Sequence, residues 1–109
     1  MKTTIACQEF YAARPGSQRQ RLTVAVGTPV RSTADDSWSC KVAIADVLRP
    51  TVIIGDDSFE ALARAVSWVR QHLADMRAEG WEFSTDREGR DRFDHEDWFV
   101  PRSEPRTET

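Results

Sequence analysis

The order and periodicity of the apolar residues predict an α+β domain: an antiparallel, curled sheet of four to five strands with one long helix packed on one face, in the order β-β-β-β-α-(β). Two observations carry this. Short segments with period-two alternation fill the first half of the chain. A single uninterrupted amphipathic segment follows them, from Asp57-Ser58-Phe59-Glu60 to Glu79-Gly80. At 109 residues the chain has the size of one domain. Residues 1–100 are assigned to that domain and 101–109 to a mobile C-terminal tail.

The first strand is read over residues 3–13, with Ile5, Cys7 and Tyr11 on one parity and Phe10 on the other. Arg14-Pro15-Gly16-Ser17 is a turn, because Pro fixes φ and Gly tolerates positive φ. From Gln20 to Gly27, Leu22, Val24 and Val26 alternate with Arg21, Thr23 and Ala25, as in a half-buried strand. Small polar residues over 28–36 mark a longer connection. The third strand runs from Ser37 to Val47, with Trp38, Cys40, Val42 and Ile44 facing one way. Leu48-Arg49-Pro50 interrupts it, and Thr51-Val52-Ile53-Ile54 gives a short fourth strand.

Asp57 is a good N-cap, and Glu60 stands at the third helical position, as in a capping box. No proline interrupts 58–79, and Gly80 supplies a C′ terminator. Phe59, Leu62, Val66, Val69, Leu73 and Met76 recur at spacings of three and four, which assigns that stripe to the sheet. Trp68 lies off the stripe, beside Ala61, Arg64, Ala65, His72 and Asp75. This flank is the first candidate for an interaction surface. Trp81-Glu82-Phe83-Ser84 reads as a short fifth strand. Charges dominate from Thr85 onward, but Phe93, Trp98 and Phe99 predict that residues 93–100 dock on the domain.

Composition excludes several classes. Residues 1–84 carry ten basic and ten acidic side chains, and residues 85–109 carry five and eight. A neutral body with an acidic tail does not suit nucleic acid, which takes clustered Lys and Arg. Arg14, Arg19 and Arg21, near Phe10 and Tyr11, read more simply as holding the acidic tail than as stacking a single strand. No apolar run approaches the roughly 20 residues that cross a bilayer, and the N-terminus lacks a signal-peptide stretch. The expected location is cytoplasmic, with no membrane partner. Cys7 and Cys40 are expected to be small buried apolar residues. Asp94-His95-Glu96-Asp97 reads as a solvated charge run, so neither metal nor cofactor is expected. No phosphate-binding glycine loop, nucleophile elbow or metalloprotease motif occurs, and no catalytic residue is assigned.

Arg21-Leu22-Thr23-Val24, Gly27 with Pro29, Trp38-Ser39-Cys40-Lys41-Val42, and Ile54-Gly55-Asp56-Asp57-Ser58 leading to Ala61-Leu62 and Ala65 form an ordered pattern over about residues 20–83. In it the chain resembles a family of small bacterial proteins catalogued only as a domain of unknown function. The resemblance implies no activity and no catalytic residues.

These readings point to a non-catalytic protein-interaction module, such as a bacterial immunity or adaptor protein, whose partner is another protein or a second copy of itself. Trp68, Arg64, His72, Phe93, Trp98 and Phe99 are the expected binding residues. The alternative is a small enzyme or small-ligand binder with a pocket between helix and sheet, for which His72, Cys40 and Asp57 are the groups to inspect.

Overall fold

Hairpins build the sheet. The computed structural model describes residues 3–45 and 48–103; the end of the expected third strand and most of the expected mobile tail lie outside them. Seven strands and one long helix follow in order: β1 (Thr4–Ala13), β2 (Gln20–Gly27), β3 (Val30–Arg31), β4 (Trp38–Ala45), β5 (Leu48–Gly55), α1 (Ser58–Ala78), β6 (Glu82–Ser84) and β7 (Arg92–Phe93). A 3-10 turn at His95–Phe99 completes the chain. Every pairing is antiparallel. β3 continues β2 along the same edge of β4, so the order across the sheet is β5, β4, β2 with β3, β1, β6, β7. The class is α+β, as the periodicity predicts. The strands beyond the four or five expected are the two-residue β3 and β7, which are too short to show alternation.

The alternations of β2 and β4 set the core. Leu22, Val24, Val26, Cys40, Val42 and Ile44 are all buried on the helix side. In β1 the parity of Phe10 faces the core. Phe10 and Ala12 enter the core, while Ile5 and Cys7 are exposed. The register explains it: Phe10 pairs with Leu22 and Gln8 with Val24, and cross-strand neighbours share a face. Cys7 therefore points away from the helix and is not the buried residue expected, whereas Cys40 is.

β5 runs through the expected break at Leu48-Arg49-Pro50. It pairs only with β4, so it is an edge strand, and its register slips between Val42 and Ile44, opposite Pro50. An edge position beside an irregularity tolerates a proline that has no ladder N–H to give.

The ends of α1 follow the sequence closely. The Asp57 carboxylate accepts from the Glu60 amide at 2.7 Å, and Glu60 reaches back to the Asp56 amide at 3.1 Å. At the other end Trp81 N–H donates to Met76 C=O and Gly80 N–H to Arg77 C=O, with Gly80 at φ +99°. This is the Schellman closure that a C′ glycine permits.

The face α1 presents is the expected one in part: Val69, Leu73 and Met76 are buried and Leu62 packs against the core, but the line is rotated. Its buried residues are Ala61, Ala65, Val69, Leu73 and Met76, and Phe59 is 79% exposed. At ~100° per residue, this places the buried line roughly 50° away from the expected stripe, toward Trp68. The reason is a close backbone contact. A Cβ on Gly55 would lie 2.8 Å from Ala61 Cα and 2.9 Å from Glu60 C, closer than real side chains come. Glycine at the end of β5 and alanines at 61 and 65 let the helix backbone settle onto the sheet. The wider stripe through Phe59 would hold it away.

Two substitutions separate these arrangements. Gly55→Ala should cost about 1–3 kcal/mol by overpacking, and Phe59→Ala should stay within about 0.5 kcal/mol. Urea unfolding of both variants measures this. A Phe59→Ala loss of ~3 kcal/mol or more, the cost of emptying a core position, would place Phe59 on the sheet.

Candidate functional site

The sheet is only half covered. α1 lies over β4 and β5, and residues Thr4–Glu9 of β1 are all exposed. The chain after β6 supplies a second, smaller cover at the β1 end. Phe10 is its hub. The Phe83, Phe93 and Trp98 rings pack edge-on against it, with centroids at 5.2, 5.7 and 5.7 Å. Phe93 and Trp98 stack on each other at 5.3 Å. Such contacts add about 0.5–1.5 kcal/mol per pair beyond the area they bury. His95 sits beneath them, 2% exposed, against Phe83. The reading of 94–97 as a solvated charge run is therefore corrected at His95, whose ring is a core element. Glu96 Oε1 lies 3.2 Å from its Nε2, but neither ring nitrogen has a well-formed hydrogen bond.

Polar contacts fix this second cover. The Asp94 carboxylate accepts from the Glu96 amide at 3.0 Å and starts the 3-10 turn. The Arg70 guanidinium reaches both Glu96 oxygens, with Nε at 3.1 and 3.0 Å, and lies over the Phe99 ring at 5.3 Å. Those hydrogen bonds, with the arginine charge, hold the Glu96 carboxyl below the usual carboxylate range, and Glu96 raises Arg70 in turn. Further back, Arg19 is enclosed by the loop between β6 and β7. A Cβ on Gly89 would lie 2.8 Å from Arg19 Nε, and Arg19 Nη1 donates to Ser84 Oγ at 3.4 Å. The Asp86 carboxylate closes the loop by accepting from the Asp91 and Arg90 amides at 2.9 and 3.1 Å. Those bonds lower its pKa, with a smaller contribution from the Arg19 charge. Arg14 lies over Trp81 at 5.4 Å. Of the three arginines expected to hold the acidic tail, Arg19 contacts it at Gly89, and Arg14 reaches Trp81 ahead of it.

Between the two covers runs an apolar groove of about 160 Å³. Val66 and Val69 of α1 form one wall and Trp98 and Phe99 the other. Val24 and Val26 of β2, with Ala6, Cys7 and Gln8 of β1, form the floor. Trp98 is 38% exposed at its rim. A second, larger cavity of about 560 Å³ lies at the C-terminal end of α1. Arg77, Arg92, Glu82, Asp94 and Asp97 line it, and Arg92 pairs with Glu82 at 3.1 Å.

The six expected binding residues fall into two groups. Phe93, Trp98 and Phe99 belong to the second cover, beside the groove. Trp68, Arg64 and His72 lie on the opposite flank of α1. Trp68 is partly buried against the core and packs on His72 at 4.2 Å between ring centroids. Arg64 pairs with Glu60 at 3.1 Å and donates to the Ile54 carbonyl at 3.1 Å. Ala61 and Ala65, expected to form a shallow apolar flank beside Trp68, are fully buried. The groups inspected for the enzyme alternative are apart. Cys40 is buried, which pushes its thiol pKa up, and its Sγ lies 3.1 Å from Gly27 C=O. Asp57 is engaged as the N-cap, and His72 stands roughly 22 Å further along the helix at ~1.5 Å per residue.

Sequence reasoning missed the groove lining. The signal was present in β1: once Phe10 fixes the phase, Ala6 and Gln8 occupy core-side positions, and a small and a polar residue there mark a stretch with little above it. Among the described residues, no group of three His, Cys, Asp or Glu is placed to hold a metal, and no helix is long and apolar enough to cross a membrane. No family model, curated protein or solved structure matches the chain.

The Arg70–Glu96 pair sets a pH dependence. A carboxyl whose folded pKa is depressed contributes stability above its unfolded value of about 4.3, lost as pH falls through the folded value. Amide protection factors at residues 95–99 should therefore fall below about pH 4.3, and in Glu96→Gln should be low and independent of pH through that range. Equal protection in both proteins at neutral pH would show that the pair does not hold the turn.

Proposed function

We propose that the protein is a non-catalytic protein-interaction module, of the kind a bacterial immunity or adaptor protein uses to bind one partner, and that the groove between α1, β1–β2 and the 3-10 turn is its contact surface. The observation that carries this is the groove's lining: four valines, an alanine, a cysteine, an exposed tryptophan and a phenylalanine around one amide side chain. Such a surface gains affinity by excluding water, at about 25 cal/mol per Å². It presents no positioned acid–base pair. Size favours a protein side chain over a small molecule, since about 160 Å³ is well below the roughly 300–1,000 Å³ of ligand pockets. Aromatic residues at a groove rim are the usual anchors of protein interfaces.

Val66 is half-buried in the groove wall, so a charge there reaches the surface without entering the core. Capture of partners from the native host's extract should therefore distinguish Val66→Glu from Trp68→Ala. Val66→Glu should weaken recovery of the specific partner at least about tenfold, equivalent to ~1.4 kcal/mol, with unfolding unchanged. Trp68→Ala, on the other flank, should recover it normally. The same partner at the same level with Val66→Glu would reject the groove as the contact surface.

A further inference from the structure

Unpaired strand edges of the sheet are treated differently. At β5 the edge is blunted: Pro50 lacks a donor, the register slips beside it, and Arg64 occupies the Ile54 carbonyl. These are the devices by which proteins prevent strand addition. β1 has a second edge with fewer of them. β2 runs along one side of β1 from Thr4 to Ala12, but on the other side β6 pairs only with Tyr11–Ala13. Thr4–Phe10 therefore faces outward with no strand partner among the described residues. Thr4–Glu9 is exposed throughout and contains no proline and no lysine. A register shift near Ile5 is the one irregularity.

We propose that this edge pairs with the same edge of a second copy of the chain, antiparallel about a two-fold axis at Cys7, joining two sheets into one. The inference deepens the protein-binding reading and rests on it: the β1 end is taken as a contact surface, and its occupant is named as a second copy. The two-fold position follows from the length of the open edge. Thr4 to Phe10 has its midpoint at Cys7, and full overlap pairs Thr4 with the partner's Phe10, Ile5 with the partner's Glu9, and Ala6 with the partner's Gln8. Charge is compatible with this register. Glu9 is the segment's one ionisable group besides the Cys7 thiol, and the two copies of it lie about four residues, or ~14 Å, apart along the ladder. That exceeds the ~8 Å screening length at physiological ionic strength. Pairing satisfies backbone donors and acceptors that otherwise bind water, and brings the two Cys7 side chains together on the sheet face away from the helix. Strand pairing alone covers less than the ~1,200 Å² of a stable interface, so the dimer is reversible and concentration-dependent.

Cys7 is exposed and Cys40 buried, which makes the native thiol a probe. Residues directly opposite in an antiparallel pair have Cα atoms about 4.5–5.5 Å apart. Sedimentation of the full chain from about 1 µM to 1 mM should show a monomer–dimer equilibrium. A short bismaleimide should trap the dimer in wild type and not in Cys7→Ser. Cys7→Lys, which sets two like charges face to face at an exposed position, should weaken dimerisation at least about tenfold with unfolding unchanged. A monomer at every concentration overturns the proposal. So does a dimer that Cys7 does not cross-link or that Cys7→Lys leaves intact. None of those outcomes touches the capture result with Val66→Glu, and failure of that capture test leaves a Cys7-linked dimer standing.

Discussion

The contact between the first turn of α1 and Gly55 determines where everything else in the molecule lies. The connection from β5 to the helix is short, so the helix must start at the β5 edge. Because Gly55 carries no side chain and Ala61 almost none, the helix backbone rests directly on the strand end. Its buried line then runs through Ala61, Ala65, Val69, Leu73 and Met76. Small residues come first and larger ones later, as the helix leaves the β5 edge. A helix seated this closely over β4 and β5 cannot also reach the far half of β1.

That shortfall shapes the rest of the chain. The uncovered Phe10 would be an exposed large aromatic at the margin of the core. Residues 83–99 return to cover it with Phe83, Phe93, Trp98 and His95. The return is tied by charge as well as by rings, through Arg19 at the loop and Arg70 at the 3-10 turn. The two covers meet without closing, and the groove is the seam between them. Its apolar lining is a consequence of the fold: both walls are margins of surfaces that are otherwise buried.

Much of the architecture was legible because β2, β4 and α1 carry strong local signals. Leu22-Thr23-Val24-Ala25-Val26 and Trp38 through Ile44 alternate cleanly, and Asp57, Glu60 and Gly80 punctuate the helix. The misreadings share a cause. In β1, Ile5, Cys7 and Tyr11 outnumber Phe10, but burial follows pairing with Leu22, which no local pattern encodes. In α1 Val69, Leu73 and Met76 of the apolar stripe are buried, but Ala61 and Ala65 take the place of Phe59 because they allow the closest approach, so hydrophobicity alone rotated the face. His95 was hidden among carboxylates, since only the return of the chain to Phe83 gives it a reason to be buried. The aromatic half of the candidate site was readable from Phe93, Trp98 and Phe99. Its sheet floor was not, because it depends on what the helix fails to cover.

The account stands on the rotation of α1 that follows from the Gly55–Ala61 contact. Nuclear Overhauser measurements on the isotope-labelled protein test it most directly. The account requires strong cross-peaks between the Gly55 Hα protons and the Ala61 methyl, with none from the Phe59 ring to Val42 or Ile53. Cross-peaks from Phe59 to those sheet residues, with the Gly55–Ala61 pair silent, would contradict it.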